Sequence, residues 1–180
     1  MLILLILHHH IGHAEAHAHT NSFAGAATDG TLGATSTGTA EIDLIIADRV
    51  QVTGLDDINL GLFNGSGPMT GATAFCVYRN GTGLYDMTVS SANESGTTFR
   101  ATDGSNFLSY VVRFDDDADA SDGAAIGSSA QETAIAGNGT SLNCGSSDNA
   151  SLHVTFAEAD LLAADTGSYN DTITVLVEPN

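Results

Sequence analysis

Apolar side chains in this chain recur at every second residue. Ile42, Leu44 and Ile46 alternate with Asp43 and Ile45, and Val50 and Val52 keep the same phase. A period of 2 sends successive side chains to opposite faces of a strand. The same pattern marks residues 72–78 through Phe75 and Val77. In residues 84–91 it sets Tyr85, Met87 and Val89 against Leu84, Asp86, Thr88 and Ser90. Residues 107–114, 151–156 and 169–177 alternate likewise, residues 97–101 form a shorter strand, and residues 58–62 read as a short strand after a break at Gly54. No ten-residue stretch carries a convincing helical period. The breakers are Asn64-Gly65-Ser66-Gly67-Pro68 and Arg79-Asn80-Gly81-Thr82-Gly83. Because Asn-Gly readily supplies positive φ, the second is expected to turn a hairpin between residues 72–78 and 84–91. Residues 123–139 read as loop with one poor strand, and Leu161-Leu162-Ala163-Ala164 as a short apolar patch. Short strands at regular spacing, separated by Gly and Asn turns, indicate an all-β sandwich.

Charge narrows the partners. The 180 residues suit one domain of ordinary size and hold 22 acidic against 4 basic residues, a net charge of −18. All four basic residues are Arg (Arg49, Arg79, Arg100 and Arg113). Nucleic acid and anionic membranes need clustered Lys or Arg, so both are excluded as partners. Only 14% of residues are charged and 42% are hydrophobic, which is not the composition of a disordered chain. The 36 Ser and Thr and 20 Gly suit strands and turns.

The chain divides into three parts. Residues 1–18 read as a signal peptide: an apolar run at 2–7, too short to span a bilayer, precedes Ala14-Glu15-Ala16 and Ala16-His17-Ala18, which fit a signal-peptidase site. The protein is therefore expected to be exported. Residues 19–40, rich in Gly, Ala, Thr and Ser, read as a flexible arm, and residues 41–180 as the sandwich. Six of the seven His lie between His8 and His19, where imidazoles suit Zn or Cu. No Cys or acidic partner at ligand spacing accompanies them, so they read as the tail of the export segment. In an exported protein the two cysteines, Cys76 and Cys144, are expected to form one disulfide.

Catalytic signatures are absent from the sequence. There is no G-x-S-x-G, P-loop or H-E-x-x-H, and His153, alone beyond the arm, sits between Leu152 and Val154 as a strand-face residue. The chain is not expected to be an enzyme or to carry a cofactor. Asp117, Asp119 and Asp122 form a weak calcium loop without the terminal Glu and flanking helices of an EF-hand. Asn64, Asn80, Asn93, Asn138, Asn149 and Asn170 each begin an N-x-S/T sequon.

The stretch Gly167-Ser168-Tyr169-Asn170-Asp171-Thr172, followed by Ile173, Val175 and Val177 in phase, resembles the end of the archaic chaperone–usher pilins, the spore coat protein U-like family. Residues 153–157 resemble the strand that precedes it, residues 107–113 the family's L-x-Y-x-L-Y strand, and residues 41–57 its N-terminal strand pair. The resemblance covers about residues 40–178. The family's usual Cys near position 50 is missing, and Val50 stands there.

The resemblance implies an immunoglobulin-like Greek-key sandwich that lacks its last strand. Only Glu178-Pro179-Asn180 follow residue 177, so the groove beside Tyr169, Ile173, Val175 and Val177 is expected to be left open. A strand from a neighbouring subunit would fill it. The donor is expected within about residues 39–52, with Ile42, Leu44 and Ile46 facing the groove. Such head-to-tail contacts build filaments. The implied partners are identical subunits, a periplasmic chaperone and an outer-membrane usher, and the implied place is a cell-surface fimbrium serving adhesion or biofilm formation. The alternative is a secreted monomeric β-sandwich that binds carbohydrate or calcium.

Overall fold

The computed structural model describes residues 27–81, 83–119 and 123–180. The signal-like segment, the start of the arm and Asp122 lie outside the described residues.

The chain falls into two units, Met1–Ile46 and Ala47–Asn180. In the first, Thr28 and Thr39 exchange two backbone hydrogen bonds of 3.0 Å and close a loop within the arm. The strand expected across Ile42, Leu44 and Ile46 is not formed: residues 41–49 have no regular structure, and the three side chains are 92, 81 and 74% exposed. Alternation creates a strand only where an edge accepts its N–H and C=O groups. The first pairing begins at Val50, opposite Arg79.

The second unit is nearly all-β. Its strands are β1 (Val50–Thr53), β2 (Met69–Arg79), β3 (Leu84–Ser91), β4 (Phe99–Thr102), β5 (Phe107–Asp115), β6 (Ala124–Ile126), β7 (Ala130–Ala136), β8 (Ala150–Phe156) and β9 (Ile173–Pro179). All pair antiparallel. One sheet has the order β1-β2-β8-β5-β4, with β6 also on β5; the other has the order β7-β3-β9. Phe75 and Val77 of β2, Val112 of β5 and Leu152 of β8 meet Tyr85, Met87 and Val89 of β3 in one core. The alternating burial of β3 and β5 follows the sequence period.

Four expectations are corrected. The turn at residues 79–83 does not make a hairpin, because β2 and β3 lie in different sheets. The chain crosses the sandwich there, so the aromatic faces of the two strands pack across the core rather than side by side. Arg79, buried at the corner, donates to the carbonyls of Leu84 (3.3 Å) and Asn80 (2.8 Å) and pairs with Asp48 at 3.1 Å. Residues 58–62 are not a strand; Gly54, at φ +86°, turns the chain off the edge of β2. Residues 123–139 hold two strands, β6 and β7, rather than one. Finally, Glu158–Ala163 forms a short helix, α1, with Glu158 and Asp160 in its first turn, where carboxylates suit the helix dipole.

Cys76 and Cys144 are disulfide-bonded across a sequence separation of 68, a loop length that stabilises by roughly 4 kcal/mol in the chain-entropy treatment. Beside the bridge, Asn149 mimics a strand: its side chain accepts from the N–H of Val77 (2.8 Å) and donates to its carbonyl (3.1 Å).

Candidate functional site

β9 is an edge strand. It pairs with β3 in unbroken register from Tyr85↔Pro179 to Ser91↔Ile173, and no strand lies on its other side among the described residues. Every second residue of such a strand turns its N–H and C=O away from the partner, ready to pair again. Ile173, Val175 and Val177 are half-buried against the core, while Thr174, Leu176 and Glu178 are exposed.

Beside this edge lies a groove of about 650 Å³. One wall is formed by residues 168–173 with Val175, the other by residues 55–61. The floor is the inner face of the large sheet: Thr73, Ala101, Tyr110, Leu152, Val154 and Phe156. Tyr110 is stacked between Phe99 (5.7 Å) and Phe156 (4.9 Å). The sandwich core is thus reachable between its two sheets.

The second wall is held by side chains. The N–H of Asp56 donates to Thr73 Oγ1 at 3.0 Å, and the N–H of Gly61 to Asn59 Oδ1 at 3.0 Å. Ile58 and Leu60 lie over Gly71 of β2, where a Cβ would come within 2.5 Å of Ile58 Cγ2 and 2.7 Å of Leu60 Cδ2. A side chain at position 71 would have to push Ile58 and Leu60 aside.

The first wall is tied to both sheets. Asp171 accepts from Ser91 on β3 (2.5 Å), from Tyr110 on β5 (2.5 Å) and from Asn93 (2.8 Å). One carboxylate therefore joins the lead-in of β9 to the two sheets, through charge-assisted bonds that are stronger than neutral ones. Burial, then the bond to Asp171 and its charge, hold the Tyr110 phenol far above its usual range, so it stays a donor. Asn170 exchanges two backbone bonds of 2.9 Å with Thr102. Tyr169 is not in the strand, contrary to expectation: this bridge to β4 holds its neighbour, and its own hydroxyl donates to the carbonyl of Asp165 at 3.2 Å. Gly167 presses on Asp103, whose Oδ2 a Cβ would meet at 2.8 Å. The N–H groups of Asn106 and Ser105 hold the Asp103 carboxyl below its ordinary value.

Of the four expected acceptor residues, Tyr169, Ile173 and Val175 line the groove, whereas Val177 packs against the core outside the lining. The expected donor residues Ile42, Leu44 and Ile46 belong to the other unit. The disulfide is not part of the lining. His153 is half-buried on β8, with Nδ1 3.4 Å from Thr155 Oγ1. Asp117 and Asp119 follow β5 as an exposed turn in which the N–H of Asp119 donates to Asp117 Oδ1 at 2.6 Å, and among the described residues no three His, Cys, Asp or Glu gather as a metal site. The sequence reading missed Ser91, Asn93, Tyr110 and residues 55–61. Only the run Gly167–Thr172, which contains Asp171, hinted at them.

An apolar floor bounded by an unpaired backbone edge suits an extended chain with alternating apolar side chains. No family model matches the chain, and no curated protein or solved structure does.

Proposed function

We propose that this protein is a structural subunit of an extracellular pilus or fibre, related to the archaic chaperone–usher pilins and assembled head to tail by donor-strand complementation. The observation that carries this reading is the free edge of β9 beside a groove that opens onto the core. The large and small sheets are then an immunoglobulin-like Greek key lacking one strand, and a neighbour's strand is inserted between β9 and residues 55–61. The run Ile42, Leu44, Ile46 supplies it: its side chains are exposed and its sequence has the period of a strand. The free edge of β9, Ile173–Pro179, offers seven residues of length, or about 23 Å. Burying three aliphatic side chains contributes about 5–9 kcal/mol before the cost of ordering the donor. A periplasmic chaperone would cover the groove before assembly, and an outer-membrane usher would pass the subunits to the cell surface.

Leu44→Asp with Ile46→Asp should abolish polymers of the purified chain while export and folding persist, as seen by negative-stain microscopy. Filaments that persist unchanged would overturn the donor assignment.

A second reading has its own support. Asp56, Asp57, Asn59 and Asp171 beside Tyr110 and Tyr169 put polar groups and aromatic rings in the same groove, a combination that fits a sugar. A secreted carbohydrate-binding monomer would elute as one species in size-exclusion chromatography whatever its concentration, and glycan would shift its melting temperature.

A further inference from the structure

Asn-Gly occurs at Asn64-Gly65, Asn80-Gly81 and Asn138-Gly139. The dipeptide is self-reactive, part of what makes asparagine a thermolabile residue. The glycine amide nitrogen attacks Cγ of the asparagine side chain. The Cγ–Nδ2 bond breaks, and ammonia leaves with the proton of the glycine N–H. Water then opens the cyclic imide at either carbonyl, giving aspartate or isoaspartate. Glycine favours the attack because no Cβ shields its nitrogen and its backbone turns freely. The sequence makes these sites alike, and the fold makes them different.

Ring closure rotates the peptide that follows the asparagine, so bonds that hold this peptide oppose it. At Asn80 the carbonyl accepts from Arg79 Nη1 (2.8 Å), and the N–H donates to the carbonyl of Arg49 (3.1 Å). Its side chain is held as well: Oδ1 accepts from the N–H of Arg49 (2.7 Å), and Nδ2 donates to the carbonyl of Ala47 (2.9 Å). At Asn138 the carbonyl accepts from the N–H of Arg79 (3.0 Å), and the N–H donates to the carbonyl of Val77 (2.9 Å). Its Oδ1 accepts from the N–H groups of Thr140 (3.0 Å) and Ser141 (2.9 Å), and Gly139 is pressed against the carbonyl of Gly81.

Asn64 is exposed and has none of these backbone restraints. Its N–H and C=O and the N–H of Gly65 bond to no described residue. Gly65 sits at φ +94°, and a Cβ placed on it would meet nothing within 4 Å. The N–H of Ser66 donates to Asn64 Oδ1 at 3.1 Å, which polarises the carbonyl that is attacked, while the leaving nitrogen Nδ2 is left without a described partner.

We propose that Asn64 is a site of spontaneous covalent modification, converting to isoaspartate and aspartate in the folded protein, while the fold protects Asn80 and Asn138. Asn64 lies in the link between residues 55–61, the second wall of the groove, and Met69, where β2 begins. Isoaspartate routes the main chain through the side-chain methylene and lengthens this link by one atom. Either product adds a carboxylate to a chain of net charge −18. The inference does not rest on the fibre reading.

The test incubates the purified full chain at mildly alkaline pH in water enriched in the heavy oxygen isotope, once folded and once in urea with reductant. Ring opening writes a heavy oxygen into each product, and mass-spectrometric fragmentation of peptides prepared in ordinary water locates it. In the folded chain, label should enter residue 64 at least about tenfold faster than residues 80 and 138, since each of those must first break two or more hydrogen bonds. In urea the rates should converge. Asn64→Gln should abolish labelling at residue 64 and leave the other positions as they were. Comparable rates in the folded chain, or label at residue 64 in urea but not in the fold, overturns the proposal. So does a difference that persists in urea, which would belong to neighbouring residues rather than to the fold.

Discussion

The three-stranded sheet has two edges, and they are built differently. β7 is irregular: Ser129, just before it, sits at φ +58° and Ala134 within it at φ +60°, and the pairing with β3 slips between Tyr85 and Met87. Asp86 fills the irregularity by accepting from the N–H of Ala134 at 3.0 Å. A bulge and an inserted charge are devices that keep an edge from pairing with another chain. β9 has neither. Its seven residues run in register, its inward side chains are half-buried, and a groove lies alongside. One edge is closed to further pairing and the other is left ready for it. That contrast is the physical basis for placing strand addition at β9.

The contrast can be broken most severely from within β9. Val175→Asp places a charge over the groove floor; it should destabilise the fold by about 3 kcal/mol in urea unfolding and abolish binding of a peptide covering residues 39–47. Asp171→Ala leaves the hydroxyls of Ser91 and Tyr110 and the Asn93 amide without their shared acceptor. A loss of about 2 kcal/mol is expected, and Tyr110→Phe in the Asp171→Ala background should add little, since the pair acts as a unit. On the opposite edge, Asp86→Ala removes the acceptor of the Ala134 N–H. Because the site is exposed, the loss should be about 1 kcal/mol, read as faster exchange of that amide.

The smallest effect concerns the turn leading into β7. Ser128 and Ser129 both donate to Glu94 and hold its carboxyl below the ordinary value, with the Ser128 bond the larger cause. A depressed folded pKa contributes stability above the unfolded pKa and loses it as pH falls through the folded one. The difference in urea midpoint between the native chain and Glu94→Gln should therefore be present near pH 7 and be lost as pH falls through the depressed value of the folded state.

The two sheets were legible as far as local period carries. The faces of β3, β5 and β8 and the inward set Ile173, Val175 and Val177 follow alternation. The misreadings have physical causes. A turn rich in Asn and Gly serves a hairpin or a corner between sheets equally well, and the choice is made by distant pairing: Phe75 finds Ala150 on β8. The bulge at Ala134 shifts the phase of β7 and hides its period. α1, at six residues, is under two turns and too short to show one. Ile42, Leu44 and Ile46 have the right period, but period alone supplies no edge to pair with. Asp171 is joined to Ser91 across 80 positions of sequence, a bond that no local pattern announces.

The most direct test of strand addition at β9 is hydrogen–deuterium exchange with and without the peptide of residues 39–47. The account predicts strong added protection at β9 and at residues 55–61, with β7 unchanged. Equal protection at both edges, or none at β9, would contradict it.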